Sequence, residues 1–116
     1  MRSDRERLLD ILGAIEAIEK YACRGYEVYL TEELIHAWIV QHIQIIGEAT
    51  ANLSPELRSR YPEMPWPDII AMRNVLFHQY FGVDLQEVWD TVTTDLPLLK
   101  RKILAMLKEV EEPSPG

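Results

Sequence analysis

Between Leu85 and Val110 the chain places Leu85, Trp89, Val92, Leu96, Leu99, Ile103, Met106 and Val110 at intervals of 4, 3, 4, 3, 4, 3 and 4. A strand changes face at every residue, so these intervals exclude a sheet and require a helix with one apolar stripe. A stripe of this kind suits antiparallel bundle packing or a helix paired across a dimer. Pro97 lies inside it and removes one backbone donor, which predicts a kink over Thr93 to Pro97. Asp84 with Glu87 forms a capping pattern ahead of the stripe.

The remaining segments also read as helices. The first begins at "SDRE", a capping box in which Glu6 follows Ser3 by three residues. Leu8, Ile11, Leu12, Ile15 and Ile18 form its apolar side, and Gly25 suits its end. A second helix is expected after Thr31 as N-cap. Its expected buried face is Leu34, Ile35, Trp38, Ile39, Ile43, Ile46, Ala49 and Leu53. Ser54-Pro55 opens a short third helix, and "YPEMPWP" ends it. Pro67 opens a fourth, carrying Ile69, Ile70, Met72, Val75 and Leu76 and stopping before Gly82. Strand signals are missing: no run alternates cleanly, and no Asn-Gly or Asp-Gly hairpin turn occurs. The fold class is therefore all-α, an up-down bundle of four main helices plus a short fifth, with homodimerisation expected.

With 116 residues, residues 1–110 suit one domain, and the "EEPSPG" tail, 111–116, is expected to be disordered. Hydrophobic residues make up 47%, enough for a core. The net charge of −7 argues against a protein that coats nucleic acid non-specifically. It leaves room for action at one local site. Cys23 is the single cysteine, which excludes an internal disulfide and favours a reducing compartment. It reads as a small buried hydrophobe. The start does not read as a signal peptide, and no run is long enough to span a membrane. A soluble, cytoplasmic protein is expected.

The polar set that demands explanation is "RNVLFHQY", residues 73–80. Asn74 and His78 are four apart and share a helix face. Arg73 and His78 are five apart and stand roughly 140° apart on an unbroken helix. Convergence requires a helix that loosens near His78, as Gly82 permits, or a second copy of the motif supplied by a two-fold dimer. The residue types suit phosphodiester cleavage. Arginine presents a planar fork to phosphate oxygens. Histidine exchanges protons near neutral pH. RNA brings its own nucleophile, the 2′-OH, so no metal is required. Asn74 would orient His78 or contact phosphate. On residue types alone, solvation of a helix end remains the stronger reading.

Other candidates are weaker. Between Glu56 and Tyr80, Arg58, Arg60 and Arg73 balance Glu56, Glu63 and Asp68, so the segment is neutral within an acidic chain. Lys100, Arg101 and Lys102 read as an exposed helix face. His36 and His42 are six apart, off a common face, and no metal ligand set is expected. Trp38, Trp66 and Trp89 read as core.

The flanking segments carry a resemblance. "RNVLFHQY" fits R-x4-H-x-Y, and it stands among "QIIGEATANLSPELRSRYPEMPW" and "FGVDLQEVWDTVTTDLPLL". Over residues 35 to 107 the chain resembles the HepT-like family of HEPN-domain toxins. The resemblance implies a small all-α homodimer and a metal-independent endoribonuclease that uses no cofactor. It also implies the toxin role in a type VII-like toxin–antitoxin pair, with MntA, a minimal nucleotidyltransferase, as antitoxin. The family's catalytic pair falls on Arg73 and His78, and its supporting polar residue on Asn74. Its modified tyrosine falls on Tyr80, where the antitoxin attaches AMP. Glu48 matches the family's "GEA" carboxylate, for which a structural hydrogen bond is expected. A second class stays open: a non-catalytic nucleotide- or partner-binding subunit of a nucleotidyltransferase complex.

Overall fold

The computed structural model describes residues 2–74 and 85–110, and every described element is helical. The tail at 111–116 lies outside the described residues.

Helix α1 spans Asp4–Ala22. Its capping box is complete: Glu6 N–H donates to Ser3 Oγ at 3.1 Å, and Ser3 N–H donates to Glu6 Oε1 at 3.0 Å. The hydrogen bonds from Ser3 hold the Glu6 carboxyl below its ordinary range. Leu8, Ile11, Ile15 and Ile18 have no exposed surface. Each contributes about 1.5–3 kcal/mol of burial free energy, and they form the floor of the core.

The expected second helix is two helices. A short α2, Tyr26–Thr31, precedes α3, Glu33–Ala51. Thr31 is therefore not an N-cap. It ends α2, and its hydroxyl donates to the Glu27 carbonyl at 2.9 Å. Gly25 makes this extra helix possible, since its φ of 97° reverses the chain after α1. Tyr29 anchors α2 in the core, with its hydroxyl donating to the Leu85 carbonyl at 2.9 Å.

The buried face of α3 is Ile35, Ile39, Val40, Ile43, Ile46, Gly47, Ala49 and Thr50. Two residues expected there point outward: Leu34 is 83% exposed and Trp38 37%. Leu34 stands one position off the Ile35–Ile39–Ile43 row, so the helix carries it away from α1. Trp38 lies across the α1–α3 seam, and its indole N–H donates to the Ala17 carbonyl at 2.8 Å.

Ser54 caps α4, Pro55–Arg60, accepting from Leu57 N–H at 3.1 Å. The same serine is held by Asp4, whose carboxylate accepts from its N–H at 2.8 Å and its hydroxyl at 2.6 Å. The starts of α1 and α4 are thus tied together. Trp66 is buried core, as expected, and its indole N–H is shared between the carbonyls of Arg58 and Tyr61 at 3.0 and 3.1 Å. This bond folds the "YPEMPW" turn back on α4 and launches α5, Trp66–Ala71.

The final stripe forms α6, Leu85–Asp90, a π-helical turn at Thr91–Asp95, and α7, Leu96–Glu109. The predicted kink thus takes the form of a wider turn placed just ahead of Pro97, which has no N–H to give the ladder. Leu96, Leu99, Ile103 and Met106 stay buried across it. Arg5 fastens the far end of α7, donating to the carbonyls of Leu107 and Val110 at 3.1 and 3.0 Å. Lys100 is not simply solvated, because it pairs with Glu19 of α1 at 2.8 Å. Cys23 is exposed rather than buried, because it caps the C-terminal end of α1. No described helix is long and apolar enough to cross a membrane.

Candidate functional site

Helix α5 ends at Ala71, just ahead of the polar motif. At Met72 the chain tightens into a 3-10 turn, Met72–Asn74, which holds Arg73 and Asn74. Met72 is half-buried against the core, while Arg73 and Asn74 are exposed. A 3-10 turn has about 3.0 residues per turn, so the unbroken-helix geometry already fails at Arg73. The loosening expected near His78 lies outside the described residues. His78 and Tyr80 fall within 75–84, outside the described residues.

What fixes this turn is Gly47 on α3. A Cβ on Gly47 would stand 2.3 Å from the Arg73 backbone nitrogen, 2.9 Å from its Cα and 2.9 Å from the Ile70 carbonyl oxygen. Only a residue without a side chain lets the turn lie so close to α3. The next residue, Glu48, then faces the arginine: its Oε2 is 3.7 Å from Arg73 Nη1. That separation makes an ion pair rather than a hydrogen bond. Asn52, one turn on, donates from Nδ2 to the Glu48 carbonyl at 2.8 Å and to Oε1 at 3.4 Å. Four residues thus form one unit in which Gly47 admits the turn, Glu48 faces Arg73, and Asn52 steadies Glu48.

Both charges are well exposed, with side-chain accessibilities of 43% for Arg73 and 63% for Glu48. An exposed pair contributes roughly 0–1 kcal/mol to stability. Its geometric effect is to hold the half-exposed guanidinium beside Glu48. Glu48 takes part in a structural hydrogen bond, as expected, from Asn52, and it also pairs with Arg73. Its effect is tested by Glu48→Gln, which keeps an acceptor for Asn52 and removes the charge. Both kcat and KM for RNA should fall, since Arg73 loses its aim and also its competing anion. Wild-type values of both would mean that the pair plays no part.

Gly47 is the site residue that reading by residue chemistry overlooked. The signal was present: a glycine inside a helix costs about 1 kcal/mol relative to alanine, so it implies a packing reason. The two described histidines remain apart. His36 is half-buried beside Tyr29, with ring centroids 5.5 Å apart, and burial pushes its pKa down. His42 lies against Trp38 at 4.3 Å.

Comparison with known proteins places this chain in a family. The family model for ribonuclease HepT-like proteins matches residues 11–106. This chain belongs to the HepT-like family. A Thermococcus cleftensis protein provisionally named ribonuclease HepT is 37% identical over 92% of this chain and 98% of its own length. A Methanocaldococcus jannaschii relative, named as a gamma-glutamylcyclotransferase and candidate RNase, is 38% identical over 97% of this chain. The chain spans only 51% of that relative's length. A candidate RNase of Caldanaerobacter subterraneus is 32% identical over 94% of this chain and 98% of its own. No solved structure matches. Within the HepT-like chain, Arg73 and Asn74 stand on the 3-10 turn, and Gly47 supplies the surface on which that turn rests.

Proposed function

We propose that this HepT-like chain is a metal-independent endoribonuclease and the toxin of a type VII-like toxin–antitoxin pair. The observation that carries the reading is Arg73, set on a turn that Gly47 admits and aimed by Glu48. Its guanidinium matches the geometry of a phosphate and stabilises the charge that builds on the phosphorane. His78, five residues on, takes the proton from the 2′-OH or returns one to the leaving 5′-oxygen. Asn74 positions His78 or the phosphate. No metal or cofactor enters the step. Growth arrest and RNA cleavage should both disappear in His78→Ala with the helical spectrum unchanged. Undiminished cleavage by that variant would overturn the reading.

The protein acts as a homodimer, so that one motif stands beside its copy. Leu34, an apolar side chain 83% exposed on α3, supports a partner surface. The antitoxin is an MntA-like minimal nucleotidyltransferase that transfers AMP to Tyr80. An adenylate two residues from His78 fills the cleft and sets negative charge where the RNA phosphate must lie. After incubation with the cognate transferase and ATP, the mass should rise by whole AMP units, and Tyr80→Phe should remove the gain. Modification that persists in Tyr80→Phe would contradict this. The non-catalytic reading, a nucleotide- or partner-binding subunit, draws support from the net charge of −7. Tight ATP binding by unmodified protein that cuts no RNA would select it.

A further inference from the structure

A groove of about 440 Å³ runs between α1 and α3 and ends at the Arg73 partner, Glu48. We propose that it is a nucleotide subsite, holding the RNA residue next to the phosphate that Arg73 contacts. The proposal rests on the ribonuclease reading and adds where a base is held. The volume lies within the range of small-molecule pockets, roughly 300–1,000 Å³.

The walls suit a flat ring with a charged neighbour. Gly13, Ala14 and Ala49 line the groove, and a Cβ on Gly13 would meet no atom within 4 Å. The space above α1 is therefore open to a planar group. His42 also lines it. Its Nδ1 lies 2.7 Å from the Trp38 carbonyl oxygen, which can only accept, so Nδ1 donates. The ring is held in place against Trp38. An imidazole oriented in this way can meet a base or a ribose hydroxyl.

Within an acidic chain, the lining sets one arginine, Arg7, beside two carboxylates, Asp10 and Glu48. Asp10 in the groove is paired with Arg2 at 2.5 Å, and Glu48 is paired with Arg73. Arg7, also in the lining, has no carboxylate within ion-pair distance among the described residues, and its Nε is buried without a partner. Arg7 thus offers the open groove a guanidinium with no carboxylate partner among the described residues, beside a wall of small residues. A nucleotide combines the two features that match these walls, an aromatic base and a phosphate.

Gly13→Leu tests the subsite, because it fills the groove at an exposed helical position with room for the side chain. The melting temperature should hold or rise, since leucine favours a helix over glycine. KM for a defined RNA should rise at least about tenfold, the scale of one lost base contact. The base preferred beside the cut should change as well. His42→Ala should weaken binding in the same direction by a smaller factor. Binding of a labelled 2′-O-methyl RNA, which offers no nucleophile, is measured in parallel. Weaker binding in Gly13→Leu supports the subsite even where the wild-type protein cuts nothing, a result that would sink only the ribonuclease reading. Unchanged KM, base preference and 2′-O-methyl RNA binding would overturn the subsite. So would a lost dimer with RNA binding per chain intact, which would assign the groove to a second copy.

Discussion

Gly47→Ala should remove most RNA cleavage and lower the melting temperature by roughly 5–10 °C, although alanine is the better helix former. Two opposing magnitudes decide this. Replacing a helical glycine by alanine contributes about 0.8–1 kcal/mol in favour of the helix. Against it, the new Cβ meets the Arg73 backbone nitrogen at 2.3 Å and two further backbone atoms at 2.9 Å. Backbone cannot turn aside as a flexible side chain does, so α3 and the Met72–Asn74 turn must separate. Overpacking of this kind costs about 1–3 kcal/mol, and each net kcal/mol shifts the melting point of a small domain by about 4–8 °C. The site suffers more than the fold, because the separation withdraws Arg73 from Glu48. Melting by circular dichroism and cleavage of a labelled RNA measure the two effects. A higher melting temperature with full activity would refute the close approach.

Arg73→Ala should lower kcat about 10²–10³-fold, the usual loss on removing one group that stabilises transition-state charge. Its melting temperature should stay within about 5 °C of wild type, because the exposed pair with Glu48 contributes at most about 1 kcal/mol. This is the reverse of the Gly47→Ala pattern, in which stability and activity fall together. Arg73→Lys should recover only part of the loss, because an ammonium keeps the charge but not the planar fork. Single-turnover cleavage at saturating protein measures the chemical step directly. Loss of stability with retained cleavage in Arg73→Ala would assign the arginine to the fold instead.

Much of this molecule can be read from residue spacing, and the exceptions have physical causes. The capping box at Ser3 and the Ser54-Pro55 start are local, and each forms as its residue pattern dictates. The Leu85–Val110 stripe is also legible, and Pro97 foretells a distortion whose form, a π turn, depends on how the chain keeps Val92 and Leu96 buried together. Thr31 misleads because a threonine suits either end of a helix, and the reversal that decides between them is at Gly25. Leu34 and Trp38 mislead because apolar character does not say which side of α3 meets α1. Cys23 misleads for a similar reason, since a cap position overrides its preference for the interior.

The candidate site stands out in the sequence by chemistry, while its geometry does not. Arg73, Asn74, His78 and Tyr80 stand out by residue type and order. The contact that aims Arg73 joins residues about two dozen positions apart in sequence, Gly47 and Glu48 to Arg73. No local pattern encodes such a pairing. The glycine inside α3 was its one visible trace.

The central claim is that Arg73 and His78 cut RNA with the substrate's own 2′-OH and without a metal. It is tested most directly by mass analysis of the product ends after wild-type and His78→Ala protein have each acted on a defined RNA in excess chelator. Attack by the 2′-OH predicts 2′,3′-cyclic phosphate ends from the wild-type protein and intact RNA from His78→Ala. Products ending in a 3′-hydroxyl, or equal cleavage by the two proteins, would contradict the account.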